Sequence, residues 1–193
     1  MSPAYEPEFE AFGKIPRLQR TVVVTEKIDG TNAQIYVDQD SAGNPYVTAV
    51  GSRKRWLGPG QDNFGFYAWV DEHREELAKG LGPGRHFGEW WGAGIQRGYA
   101  QSGKTFSLFN TKRWTSSIAR SPLADSGLWS LGVRVVPVLA TIDGFGEAFD
   151  ILDALEQSGS MASPGFLEPE GIMLYHAHAG QYFKLTLDDN HKG

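Results

Sequence analysis

The chain has no cysteine in 193 residues. Disulfides, thiolate nucleophiles and Cys-ligated zinc or iron–sulfur centres are therefore outside its chemistry. The five histidines show no metal-ligand spacing beyond His176-Ala177-His178. Strand alternation would put that pair on one face, but a zinc role is not expected of it. No apolar run approaches the roughly 20 residues that a membrane helix needs, and the N-terminus is acidic, unlike a signal sequence. The expectation is a cytoplasmic protein with no membrane partner. Internal repeats, a Walker loop, a dinucleotide-binding glycine motif and a serine nucleophile elbow are also missing.

What is present is ordinary in bulk and uneven in detail. The length fits one large domain, residues 1–193, with residues 1–12 expected to be poorly ordered. Hydrophobic residues make up 40% and charged residues 21%, but six Trp, seven Tyr and eleven Phe are many. The net charge of −5 argues against a generic polyanion binder. Its distribution says more: residues 1–100 carry 11 Lys or Arg against 13 acids, residues 101–140 carry 5 against 1, and residues 141–193 carry 2 against 9. A basic middle in an acidic chain suits local contact with a phosphate backbone, or is a solvated loop.

The most informative stretch is Thr25-Glu26-Lys27-Ile28-Asp29-Gly30-Thr31-Asn32. Val22-Val23-Val24 is β-branched, Ala33 to Val37 alternates, and Asp29-Gly30 is a strong two-residue turn signal, so Lys27 is predicted at or near a hairpin tip. A free lysine, with a pKa of about 10.4, is a poor nucleophile at neutral pH. Neighbouring cations, a divalent metal or partial burial would lower that value and let the amine attack carbon or phosphorus. The alternative is that Lys27 and Asp29 are solvated hairpin charges.

Further strands are predicted at Tyr46–Val50, Arg85–Trp91, Thr105–Asn110, Val133–Leu139, Glu170–Tyr175 and Gln181–Leu187. Helices are predicted after Asp62 to Gly80 and over Glu147–Gln157. The Tyr46 strand delivers Arg53-Lys54-Arg55-Trp56, either a solvated edge or a phosphate clamp near Lys27. Glu89 lies in an apolar, aromatic setting where an unpaired carboxylate is expensive, so a cation or ligand hydroxyl should meet it. Phe106 and Phe109 face opposite sides, one for the core and one free to stack. Residues 115–132 are unpatterned, a loop or a substrate-facing flap. Tyr182, Lys184 and Thr186 share a strand face. Strands outnumber dispersed helices, so the fold class is α+β, with antiparallel sheets flanked by helices.

Six elements in order, Glu26 to Asn32, Ser52-Arg53-Lys54, Phe87-Gly88-Glu89, Phe106 to Asn110, Glu170-Gly171-Ile172 and Phe183-Lys184, resemble the covalent nucleotidyltransferases. Within them the chain is most similar to ATP-dependent RNA ligases of the nick-sealing and RNA-editing type, because Glu26 and Asn32 flank the lysine motif as they do there. The resemblance covers nearly the whole chain and implies a nucleotidyltransferase (ATP-grasp-like) domain, with no room for the OB domain of DNA ligases and capping enzymes. It implies ATP, with Mg2+ or Mn2+, as cofactors, and RNA ends bearing a 5′-phosphate and a 3′-hydroxyl as partners, with an RNA or RNA–DNA duplex as one setting. Lys27 would form a covalent lysyl-AMP and Lys184 would neutralise the α-phosphate. Glu26, Ile28, Asn32, Arg53, Glu89, Phe109 and Glu170 would hold the nucleotide, with Glu26 accepting from the adenine amino group and Phe109 stacking on the base. Arg55, Lys112 and Arg113 would touch nucleic acid, and Glu170 with Asp29 would hold the metal.

One departure stands out. The family's last motif offers two lysines on one strand face, and the second position here is Thr186. That leaves two alternatives open: a nucleotide or nucleic-acid-end binding module with lost or partial turnover, or a ligase or capping-type enzyme acting on another polynucleotide.

Overall fold

A computed structural model describes residues 8–15, 17–114, 123 and 126–190. Residues 8–12 are exposed and lack regular structure, while residues 1–7 of the expected disordered opening lie outside the described residues. So does most of the unpatterned 115–132 stretch, of which residues 126–132 form a turn with Leu128 buried.

Among the described residues nine strands form two sheets. In chain order they are β1 (Thr21–Lys27), β2 (Thr31–Gln39), β3 (Pro45–Ser52), β4 (Gly84–Gly92), β5 (Lys104–Leu108), β6 (Val133–Val135), β7 (Val138–Asp143), β8 (Gly171–His176) and β9 (Gln181–Thr186). The first sheet has the order β7-β1-β8-β9 and the second β3-β2-β4-β5-β6. All pairings are antiparallel except β5–β6, which is parallel. The helices are α1 (Phe66–Glu72), α2 (Arg74–Leu81), α3 (Thr111–Trp114), α4 (Ala148–Ser158) and α5 (Leu187–Asn190). None among the described residues is long and apolar enough to cross a membrane.

Each sheet buries one face under helices. Alternation in β1 sends Val22 and Val24 inward with Ile172 and Leu174 of β8, against Leu152 and Leu155 of α4. In the second sheet Ala33, Ile35 and Val37 pack with Val70, Leu77 and Leu81, and the rings of Phe66, Trp90 and Phe106 complete that core. The single helix expected to follow Asp62 is two, broken at His73 (φ −117°). The Asp62 carboxylate does serve its start, accepting from the N–H groups of Tyr67 and Ala68.

The largest departure from the sequence reading concerns Lys27. β1 and β2 are not a hairpin: β1 pairs with β7 and β8, and β2 with β3 and β4. The chain crosses from one sheet to the other at residues 28–30. Gly30 is required there for space, since a Cβ would lie 2.5 Å from the Trp90 carbonyl oxygen and 2.7 Å from the Trp91 Cβ. The strand predicted over Val133–Leu139 is likewise two, β6 in the second sheet and β7 in the first. Pro137 stands at the break, where its carbonyl accepts from the Glu26 N–H. The two crossings lie together, around a small cluster of Ile28, Trp91, Tyr99 and Val136.

Gly30→Ala should cost about 1–3 kcal/mol in urea unfolding, because backbone and a buried indole must move. Gly146→Ala, where a Cβ meets nothing within 4 Å, should change stability by less than about 0.5 kcal/mol.

Candidate active site

Lys27 closes β1 on the face opposite α4, with its Nζ 2.5 Å from Glu170 Oε1. Both side chains are largely shielded, at 22% and 17% exposure. The other Glu170 oxygen, Oε2, is buried without a hydrogen-bond partner. An orphaned carboxylate oxygen is costly and marks a place where a ligand or cation would be welcome. Gly171 follows, paired with Lys27 on one side and Thr186 on the other. Its φ of +152° and the closeness of Thr186 Cα, 2.8 Å from where a Cβ would sit, admit only glycine. Thr186 is thus brought within two strands of Lys27. Lys184, exposed, pairs with Met173, which pairs with Thr25. Lys27, Lys184 and Thr186 therefore share one face, as the alternation of β9 predicts.

The second sheet brings Glu89 to the same place. Glu89 pairs with Asn32 on β2 and Ser107 on β5. Burial pushes its carboxyl up to about 8; the Lys27 charge opposes the shift, the Glu170 charge adds to it, and the Gly30 N–H opposes it. The expected cation is Lys27, but at neutral pH burial wins and Glu89 is mostly protonated. Beside it, Ile28 is buried, and Phe109, Ala162 and Phe166 are partly buried against the same junction cluster. Phe106, by contrast, is fully buried in the core. Phe109 offers a half-open apolar wall of the kind that suits one face of a base.

Two of the expected site residues have partners within the chain. Glu26 does not point at the site: it is 1% exposed on the helix-facing side. Its carboxylate accepts from Ser160 Oγ at 2.5 Å and from the N–H groups of Met161 (2.9 Å) and Ala162 (2.8 Å). Desolvation raises its pKa and these three donors oppose the rise. The carboxylate thus anchors residues 160–162, of which Ala162 packs in the cluster with Ile28 and Phe109. Asp29, expected to hold metal, is ion-paired to Arg97 Nε at 3.2 Å. Arg97 also bonds Asp188 at 2.6 Å and the Glu168 carbonyl at 3.2 Å, tying the crossing to the segment around β8 and β9. Among the described residues no group of three or more His, Asp or Glu is placed to hold a metal. Glu170, with its unpartnered oxygen, remains, a hard oxygen donor that fits Mg2+ or Mn2+ completed by phosphate and water.

The basic candidates separate. Arg53 is exposed in the turn after β3, whose last residue, Ser52, pairs with Ala33 next to Asn32. Arg55 is exposed beside it and donates to the Asp62 carbonyl. Lys112 and Arg113 lie beyond β5, toward the end of the second sheet remote from Lys27. There Arg113 is exposed, donates to the Leu81 carbonyl at 2.6 Å and lies over Trp114.

Sequence reasoning missed Arg97, Tyr99 and Ser160. Tyr99 is buried, and its hydroxyl accepts from the Asp29 N–H at 2.8 Å. It sits in a turn where Gln96, Tyr99 and Ala100 all take left-handed backbone, with φ of 46°, 51° and 52°. Each such residue costs of order 1 kcal/mol, and the site contacts offset it. The signal available in the sequence was only a glycine-rich run after β4.

A family model described as RNA ligase matches residues 20–186. No curated protein matches the sequence significantly. Among solved structures, the Naegleria gruberi RNA ligase with pyrophosphate is similar over 90% of this chain and 51% of that chain, with TM-score 0.61 and 20% identity. A point mutant of the same ligase with ATP and manganese is similar over 91% and 52%, with TM-score 0.63 and 16% identity. At these identities the likeness is one of fold, and the chain spans about half the length of the structures it matches.

The raised Glu89 pKa ties stability to pH. The unfolded chain gives up this proton near pH 4.5 and the folded chain only near 8, so Glu89 takes away stability as pH rises between those values. Glu89→Gln should therefore gain on the native chain across that window, with the largest excess in melting temperature above pH 8 and little below pH 4.5.

Proposed function

The chain belongs to the RNA ligase family, and on that premise we propose that it is an adenylyltransferase domain that charges Lys27 with AMP. The observation that carries this reading is the shielded Lys27–Glu170 pair, with Lys184 on the same face and Glu89 with Asn32 opposite it across the junction. In the first step the Lys27 amine attacks the α-phosphorus of ATP. A P–N bond forms, the bond from that phosphorus to the oxygen bridging toward the β-phosphate breaks, and pyrophosphate leaves. The ammonium must first lose a proton, and Glu170 Oε1 is the near acceptor, while the unpartnered Oε2 is free to face a metal. Mg2+ or Mn2+, held by Glu170 and the phosphates, would supply charge neutralisation. Lys184 adds a positive charge on the phosphate side. Asn32 and a protonated Glu89 are placed to bond ribose hydroxyls, and Phe109 with Ile28 to enclose the base.

AMP then passes to an RNA 5′-phosphate, and a 3′-hydroxyl displaces it to seal the strand. Similar folds solved with ATP and manganese or with pyrophosphate support the nucleotide and metal assignment. The RNA ends follow from the family alone.

Thr186 favours a second reading, a module that binds nucleotide without turnover. It occupies the position nearest Lys27 on β9, and a neutral hydroxyl there brings no positive charge to the phosphate side.

With α-labelled ATP and magnesium or manganese, the protein should retain label and gain the mass of one AMP. Lys27→Ala should abolish this, and Glu170→Ala should lower it roughly 100-fold. Label persisting on Lys27→Ala would remove the nucleophile from the proposal. ATP binding without pyrophosphate release, converted to labelling by Thr186→Lys, would establish the second reading.

A further inference from the structure

The face of the second sheet that carries Asn32 and Glu89 does not end there. Moving along β2 away from Lys27, the next cross-strand row is Gly51–Gln34–Phe87, and the one after is Ala49–Tyr36–Arg85. Trp56 folds back over this face. Its backbone bridges Gly51, and a Cβ on Gly51 would meet the indole at 3.0 Å, so the ring packs directly on bare backbone. The Arg85 guanidinium lies over both Trp56 and Tyr36, 5.7 and 5.4 Å from the ring centroids. Even so, Trp56 is 50% exposed and Phe87 44%.

Singly exposed aromatic residues are common and need no explanation. These are not scattered: they stand in consecutive rows on one sheet face, continuous with the Glu89 row, and the turn that delivers Trp56 also presents Arg53, Lys54 and Arg55, all exposed. Acidic side chains on the strip stand at its two ends, Glu89 beside Lys27 and Asp38 beyond Tyr36. Half-exposed rings with interleaved cations match unpaired bases on a phosphate backbone. They do not match a duplex, whose bases are already stacked on one another.

We propose that this strip holds a single-stranded stretch of the polynucleotide next to the end being joined, with bases stacking on Trp56 and Phe87 and phosphates facing Arg85 and the Arg53–Arg55 turn. The proposal rests on the reading of Lys27 as a site acting on polynucleotide ends, and adds that the chain selects unpaired strands. Gly51 under Trp56, and Phe87, stand one row beyond Asn32 and Glu89, so losing these rings should spare the first step.

The test is binding of the whole chain to a fluorescent oligoadenylate and to a blunt RNA duplex at one fixed salt concentration, alongside self-labelling with ATP. Trp56→Ala and Phe87→Ala should each weaken oligoadenylate binding about 5- to 100-fold and change duplex binding by less than about twofold. Trp56→Tyr should restore most of the loss, and self-labelling should match the native chain throughout. Phe87→Ala carries the test if Trp56→Ala does not fold. Unchanged oligoadenylate affinity in a variant that still folds, or equal loss of duplex binding, would overturn the proposal. A native chain that binds the oligonucleotide through these rings but never takes up AMP would instead overturn the function proposed for Lys27.

Discussion

The Glu26 carboxylate, buried beneath the strand that ends in Lys27, accepts three hydrogen bonds from residues 160–162. Ser163 continues the connection, its N–H donating to Ser160 Oγ and its own Oγ to the Tyr99 carbonyl. The Tyr99 hydroxyl then accepts from the Asp29 N–H, and Arg97 grips the Asp29 carboxylate. A closed ring of polar contacts thus fixes the residues on both sides of Lys27 while leaving its own amine to Glu170. Any slide of β1 along β8 would strand a buried carboxylate, at a cost of several kcal/mol. The position of the lysine is therefore set by its neighbours' obligations.

The same site is nearly neutral for its density of ionisable groups. Lys27 is matched by Glu170, Asp29 and Asp188 by Arg97, and Glu89 holds its proton at neutral pH. Two ionised glutamates would repel an incoming triphosphate; a protonated one does not, and it can donate to a hydroxyl. Among the described residues of this arrangement, Glu170 Oε2 is a buried oxygen still without a hydrogen-bond partner.

Local pattern made much of the fold legible. Alternation located the strands around Val22, Ile35, Phe87 and Leu174 within a residue or two, because one face of each is buried and the other is not. Ordered motifs brought Lys27, Glu89 and Glu170 forward as partners before any contact was visible. What failed depended on residues far along the chain. Asp29-Gly30 has the composition of a hairpin turn, but whether a chain reverses or crosses between sheets is decided by what it meets. Here that is Trp90 and Trp91. Arg97 lies 68 residues from Asp29, and Ser160 lies 134 from Glu26. No dipeptide reports such a partner for Asp29 or Glu26.

The strand order also imposes a timetable on biosynthesis. β2, β3, β4 and β5 are consecutive in the chain and pair among themselves, so most of the second sheet can form once about residue 108 has emerged. β1 precedes them all, yet its partners are β7 and β8, which end at Asp143 and His176. On the ribosome the earliest strand therefore waits longest for its neighbours. The amine at its end acquires its surroundings only after residue 176 has emerged, so a chain cut before that point would carry a folded sheet and an inert lysine.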